Sequence, residues 1–185
     1  IADDEVDRGA DLLVATGLGV ASSTPAATLA TVLTEKEVAA VVGWGSLVDD
    51  RGWMRKCAAV RDAARRGRKI LAAKGDMIDL LAAVAGADLA ALTGFVSQSA
   101  LRQTPLVLDG LVSTAAAAVA QRIGRRTTRW VVAGHRSADP GHAEERLGGG
   151  RLHPRKVLQR RVVEDDVGRH VAFAREREAF GAERL

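Results

Sequence analysis

The sequence predicts an α/β fold, a Rossmann-like parallel sheet flanked by helices, followed by a divergent helical or irregular C-terminal tail. Three observations predict it. Short strand-like runs recur at Leu12–Ala15, Val38–Val42, Thr104–Leu108 and Arg129–Ala133, each stopping at glycine or polar residues. Stretches of helical character, many rich in alanine, separate them. The apolar runs are continuous rather than alternating, as expected of strands buried on both faces. Strands alternating with helices argue for a parallel sheet. The right-handed crossover rule then brings all four post-strand loops to one edge, where open α/β proteins place their ligand chemistry.

The bounds agree. At 185 residues the chain can bury the core of one domain. Its 47% hydrophobic and 27% charged content excludes a disordered chain. The single cysteine, Cys57, excludes an internal disulfide and reads as a buried, inert thiol inside a helical run. No apolar run is long enough to span a bilayer and no secretory signal is visible, so the expectation is a cytoplasmic protein with no membrane partner. Net charge is +4, but the basic residues form no single stripe interleaved with aromatics. Many fall between Arg151 and Arg184, which reads as a solvated basic tail rather than a nucleic-acid surface. The chain starts at Ile1 without an initiator Met, so further sequence upstream is expected.

Taken in order, Ile1–Ala10 is acidic and favours a helical turn through Asp3, Asp4, Glu5 and Asp7. The Leu12–Ala15 strand runs into Thr16-Gly17-Leu18-Gly19, then Ser22-Ser23-Thr24-Pro25. Pro25 suits a first helical turn, with Thr24 as its cap and the helix running to Leu33. The Val38–Val42 strand ends in Gly43-Trp44-Gly45-Ser46. A helix over Asp50–Arg68 follows, with Trp53, Val60 and Ala64 on its apolar side, and Lys69–Gly75 reads as a basic connector. Asp76–Val84 and Asp88–Arg102 read as helices separated by Gly86. The third strand ends at Asp109-Gly110, before an Ala-rich helix over Ser113–Arg122. The fourth ends at Gly134-His135-Arg136-Ser137, before a helix over Pro140–Leu147 that Gly148-Gly149-Gly150 breaks. The expected division is a core over 1–147 and an Arg-rich tail over 148–185. Within that tail, Val162–Leu185 has the character of an exposed helix, supported by pairs such as Arg175 and Glu178.

The loops carry the chemistry. Gly17 and Gly19 allow backbone N–H groups to approach an anion, and Ser22, Ser23 and Thr24 add hydroxyl donors at a helix start. The alternative is an ordinary strand-to-helix turn, since neither a dinucleotide fingerprint nor a P-loop is complete. Gly43 and Gly45 repeat the pattern, and Lys56 is either a phosphate contact or a solvated side chain. Asp109 either accepts from a ribose hydroxyl or caps the helix ahead of it. His135 either donates to a ligand or packs its own loop. His135 and His142 lack the spacing of a zinc helix motif, and no metal site is expected.

Read together, IADDEVDRGADLLVA, STPAATLATVLTEKE, AVVGWGS with DDRGWMRK, GADLAALTGF, TPLVLDGLVSTAAA and AGHRSADPGH resemble the nicotinate-nucleotide–dimethylbenzimidazole phosphoribosyltransferase family, most closely its actinobacterial members. The resemblance covers about Ile1 to Leu147. It implies a Rossmann-like sheet, a homodimer, no cofactor, and transfer of ribose phosphate from nicotinate mononucleotide to a benzimidazole base in cobalamin lower-ligand synthesis. It further implies that the loop from Gly19 to Thr24, including Ser22 and Ser23, holds the nucleotide phosphate with Gly43, Gly45 and Lys56. Asp109, Gly110, His135 and Ser137 would line the ribose and nicotinate end. The family motif Gly-Asp/Glu-Met-Gly-Ile-Gly-Asn-Thr-Thr-Pro stands here as Thr16-Gly17-Leu18-Gly19-Val20-Ala21-Ser22-Ser23-Thr24-Pro25, so its acidic residue is Gly17. The family's catalytic Glu lies in an Arg-Leu-Gly-Glu-Gly motif that has no counterpart between Gly148 and Leu185, and no catalytic residue is assigned. The competing expectation is therefore an inactive remnant or partner subunit that at most binds a nucleotide. The abrupt change to an Arg-rich tail is what an out-of-frame ending would produce.

Overall fold

The computed structural model describes residues 1–17, 19–45, 49–135, 140–141, 146–147 and 150–151. Three short strands, β1 (Leu13–Thr16), β2 (Leu106–Asp109) and β3 (Val131–Ala133), form a parallel sheet in the order β1-β2-β3. Leu13, Leu106 and Val131 lie in register, as do Val14, Val107 and Val132, and Thr16 pairs with Asp109. The tail's expected Val162–Leu185 helix lies outside the described residues.

The helices are α1 (Ala2–Asp7), α2 (Ser23–Thr34), α3 (Val38–Val41), α4 (Asp50–Ala72), α5 (Met77–Val84), α6 (Ala87–Leu101) and α7 (Gly110–Ile123). A 3₁₀ turn over Arg125–Arg129 leads into β3, and β4 (Arg146–Leu147) pairs antiparallel with β5 (Gly150–Arg151).

Two apolar clusters hold these elements, and α7 belongs to both. Leu13, Ala15, Leu106, Leu108 and Val131 of the sheet pack with Val96 of α6 and with Ala117 and Ala120 of α7. Leu29, Val60, Leu80 and Leu89 pack with Ala115, Ala116 and Val119 on the other side of α7. A helix apolar on every side belongs inside a fold. The alanines from Ala115 to Ala120, interrupted by Val119, are small enough to let neighbours approach α7 from both directions. The adjacent α2 is buried without interruption from Ala26 to Val32. Its Thr28 and Thr31 hydroxyls stay satisfied by donating to the carbonyls of Thr24 and Ala27, at 3.0 and 2.7 Å.

The longer α4 buries only the stripe Cys57, Val60, Ala64 and Gly67, the spacing of one helical face. Cys57 is buried as expected, and that burial pushes its thiol pKa up. Asp49 caps α4 by accepting from the Gly52 amide at 2.7 Å. Asp76 and Asp79 form a reciprocal capping box on α5. At the end of α6, Arg102 and Gln98 tie down α1, with Arg102 3.0 Å from Asp3 and Gln98 donating to the same carboxylate at 2.8 Å.

Several expectations are corrected. Val38–Val42 is not a strand: Val38–Val41 is a helical turn whose Val38 and Val41 are both buried, three residues apart. A short apolar run carries no period long enough to separate the two states. The described sheet accordingly has three post-strand loops rather than four. The strands alternate in burial, with Val14 54% exposed between buried Leu13 and Ala15. Lys69–Ala72 continues α4 instead of forming a connector. Ser22, not Thr24, is the N-cap residue of α2, and no side chain caps that helix. Pro140 and Gly141 are helical, but Arg146–Leu147 is strand.

Candidate functional site

The three strands deliver one side chain each to their C-terminal edge. Asp109 ends β2 and precedes Gly110, whose φ of +78° turns the chain directly into α7. That left-handed conformation is one glycine adopts without a Cβ clash. Asp109 occupies the N-cap position but its carboxylate makes no capping bond. It reaches sideways across the sheet edge instead. Oδ2 accepts a 3.0 Å hydrogen bond from Thr16 Oγ1 at the end of β1, and Oδ1 lies 3.2 Å from Nδ1 of His135, two residues beyond β3. Both Asp109 and His135 keep about half their side-chain surface in solvent, at 54% and 48% exposed. The result is a hydroxyl, a carboxylate and an imidazole in line, open to a ligand. The arrangement offers hydrogen-bond acceptors and a titratable ring to a polyhydroxylated molecule.

The loop after β1 is built differently from the sequence expectation. Ser22 is buried and its hydroxyl donates to Asp88 Oδ2 at 2.5 Å. That bond, foremost, lowers the Asp88 pKa, with backbone N–H groups at the start of α6 adding to it. Gly19 packs against the pair: a Cβ there would sit 2.0 Å from Ser22 Oγ and 2.7 Å from Asp88 Oδ2. The Ser22 proton is committed, and a carboxylate stands beside the loop. Ser23 and Thr24 lie half-buried in the first turn of α2.

The loop after α3 is pinned by α4. Lys56 Nζ donates to the Gly43 carbonyl at 3.1 Å, and Trp53 Nε1 donates to the Val42 carbonyl at the same distance. Gly45 adopts φ +72°. Trp44 stacks on Trp53 with ring centroids 5.4 Å apart and planes 21° from parallel. The loop lies toward the same end of the fold as Asp109. A Cβ on Gly141 would meet the Val41 carbonyl at 2.8 Å and Leu111, two residues past Asp109, at 3.1 Å.

The structure therefore brings Asp109, Gly110 and His135 together, and separately Gly19 with Ser22, and Gly43 with Lys56. Ser137 lies outside the described residues. Sequence reading missed Thr16 and Asp88. A threonine closing a β-run is a detectable signal for the first; Asp88 lies 66 residues from its partner and nothing local announces it. Among the described residues, no group of three or more His, Cys, Asp or Glu is placed to hold a metal ion. No described helix is long and apolar enough to cross a membrane. A cavity of about 370 Å³ between α5 and α6, lined by Ile78, Leu81, Ala90 and Ile123 among others, contains none of these site residues.

The chain is similar to known proteins over most of its length. A family model described as Phosphoribosyltransferase matches residues 1–148. The nicotinate-nucleotide–dimethylbenzimidazole phosphoribosyltransferase of Mycobacterium tuberculosis is 54% identical over 142 residues, covering 77% of this chain and 38% of that protein. The Mycobacterium leprae protein of the same name is 54% identical over 143 residues, covering 77% and 40%. The crystal structure of CobT from Thermus thermophilus superposes with a TM-score of 0.73 at 34% identity, covering 78% of this chain and 42% of that one. The chain thus spans about two fifths of the length of these relatives. With the match across residues 1–148 and the shared parallel fold, the chain belongs to the nicotinate-nucleotide–dimethylbenzimidazole phosphoribosyltransferase family.

Proposed function

We propose that this chain supplies the nucleotide-handling part of an enzyme that moves ribose phosphate from nicotinate mononucleotide to 5,6-dimethylbenzimidazole, with a homodimer as the working assembly. The observation that carries the reading is the line Thr16–Asp109–His135 along the C-terminal edge of a parallel sheet, in a chain of this family. In the reaction, a ring nitrogen of the azole attacks the anomeric carbon of the ribose. The bond from that carbon to the nicotinate nitrogen breaks, nicotinate leaves with the bonding pair, and the azole gives up its proton to a base. Asp109, held by Thr16, accepts from a ribose hydroxyl and fixes the sugar, and His135 and Gly110 flank it. The loops carrying Gly19, Ser23 and Thr24, and Gly43, Gly45 and Lys56, hold the phosphate. Holding both reactants in line lowers the entropic part of the barrier.

A second reading, nucleotide binding without turnover, is favoured by one of the residues expected at the phosphate. The Ser22 hydroxyl proton is already committed to Asp88, which loosens the grip on a phosphate, whereas Lys56 spends one of its three N–H donors on the Gly43 carbonyl and keeps two. Calorimetric titration with nicotinate mononucleotide, followed by a nicotinate-release assay with dimethylbenzimidazole, separates the two. Binding with release supports transfer; binding without release supports the second reading; a folded chain that does neither overturns both.

A further inference from the structure

We infer that the outer face of α4 is a docking surface for the phosphate backbone of a nucleic-acid duplex, bound without regard to base sequence. The inference does not rest on the proposed transfer reaction. The helix holds six arginines and two lysines against two aspartates, so it alone exceeds the whole chain's net charge of +4. Along the sequence these charges look dispersed, but the helix sorts them. Cys57, Val60, Ala64 and Gly67 face the core, against Leu29 and Val32 of α2 and Leu80 of α5. Opposite that stripe, Arg51 and Lys69 are both exposed and stand about five helical turns apart, on one line about 27 Å long. Arg55 and Arg66 fall to one side of the line, Arg61 and Arg65 to the other, and all four are exposed. Among the described residues, the ion pair on this face joins Arg65 to Asp62 at 3.8 Å. With both side chains open to solvent, it neutralises little.

The makeup of the face selects the partner. A helix that lies on a membrane sinks its apolar side among the headgroups, but the apolar side of α4 is spent on the core. A protein interface is anchored by large apolar or aromatic side chains, and Met54 is the one large apolar residue that α4 exposes. A single strand is held by bases stacked on aromatics, and the one aromatic of α4, Trp53, turns inward to the Val42 carbonyl. A duplex backbone needs only charge and N–H donors, and the planar arginine fork matches a phosphate with two hydrogen bonds. The sizes also agree. A helix with its side chains is about 10–12 Å across, and the major groove of a B-form duplex is about 12 Å wide. Lying along that groove, α4 presents one flank of arginines to each phosphate wall. It carries no Asn, Gln, Ser or Thr to pair with base edges, so charge sets the affinity and base sequence does not.

The test is fluorescence anisotropy of a labelled, mixed-sequence DNA duplex titrated with the whole chain at roughly 50 to 200 mM salt. Saturable binding is expected, with affinity falling about a hundredfold over that range, as for about four phosphate contacts. Arg55→Gln, Arg66→Gln and Lys69→Gln made together keep good helix formers at solvent positions, so circular dichroism should not change. Affinity at the low-salt end should drop at least about tenfold, and the salt slope should flatten by about 2 to 3. The same loss of charge in the tail, through Arg160→Gln, Arg161→Gln and Arg175→Gln, should leave both near their wild-type values. A second duplex of unrelated sequence should bind equally well. A folded wild-type chain that does not bind overturns the inference, and so does a tail variant that loses as much as the α4 variant. Tighter binding to a single strand of the same sequence overturns it too, as does binding to phosphatidylglycerol vesicles that the duplex fails to displace.

Discussion

The Thr16 hydroxyl and the Asp109 carboxylate, 93 residues apart in the chain, meet at 3.0 Å because β1 and β2 pair in register to their last residues. The bond uses one carboxylate oxygen and leaves the other to His135. On the proposed reading Thr16 is a positioning residue that acts through Asp109. Replacing it by valine keeps the shape and removes the donor. Because Asp109 is half-exposed and water substitutes, Thr16→Val should change stability by no more than about 1 kcal/mol. Affinity for nicotinate mononucleotide should fall roughly three- to tenfold in calorimetry, with Thr16→Ser restoring it. A variant that binds as well as wild type would remove Thr16 from the site.

Ser22 and Asp88 give a pH signature. The Ser22 hydroxyl is the leading cause of the lowered Asp88 pKa. A carboxylate whose folded pKa is depressed adds stability above its unfolded pKa, and that contribution disappears as pH falls through the folded value. Ser22→Ala should therefore return Asp88 toward the usual carboxylate range in an NMR titration. It should cost at most about 1 kcal/mol at neutral pH, since Asp88 is exposed. The gap between the two proteins should narrow in acid. A gap that is constant with pH would show that packing alone links these residues.

Gly17 stands where the family motif has an acidic residue, and the structure leaves no room for one. A Cβ at Gly17 would lie 2.5 Å from Val112 Cγ1 on α7. Gly17→Glu should destabilise by about 1–3 kcal/mol in urea denaturation, the usual range for overpacking. Adding Val112→Ala should recover part of it. Full tolerance of the single change would mean that the loop relaxes freely.

The capping box of α5 is a control remote from the site. Asp76 accepts from the amides of Ile78 and Asp79 at 2.8 and 2.9 Å. Asp76→Ala should cost about 1–2 kcal/mol in the same denaturation measurement, with ligand binding untouched.

How much of this was legible varies by residue and for physical reasons. The strands around Leu13, Leu106 and Val131 were readable because apolar runs ended in glycine and polar residues. Val38–Val41 was not, because four residues complete barely one helical turn and valine favours strands. Alternating burial of β1 was hidden because Val14 is as apolar as its buried neighbours. At the site, Asp109 and His135 stood out as polar residues after β-runs. The commitments of Ser22 and Lys56 to Asp88 and Gly43 are long-range or side chain to backbone, and the local sequence does not encode them.

The order of the sheet bears on how the chain is made. β1 leaves the ribosome before β2, yet its only partner in the described sheet is β2, in a register 93 residues away. The regular elements described between them are all helices, so α2, α4 and α5 have the local contacts to assemble first. β1 must then close a loop of that size before it gains its hydrogen bonds to β2. Such non-local closure is expected to be slower than local helix formation. Until Leu106 is synthesised, Thr16 has no Asp109 beside it, and the edge that gathers Thr16, Asp109 and His135 does not exist.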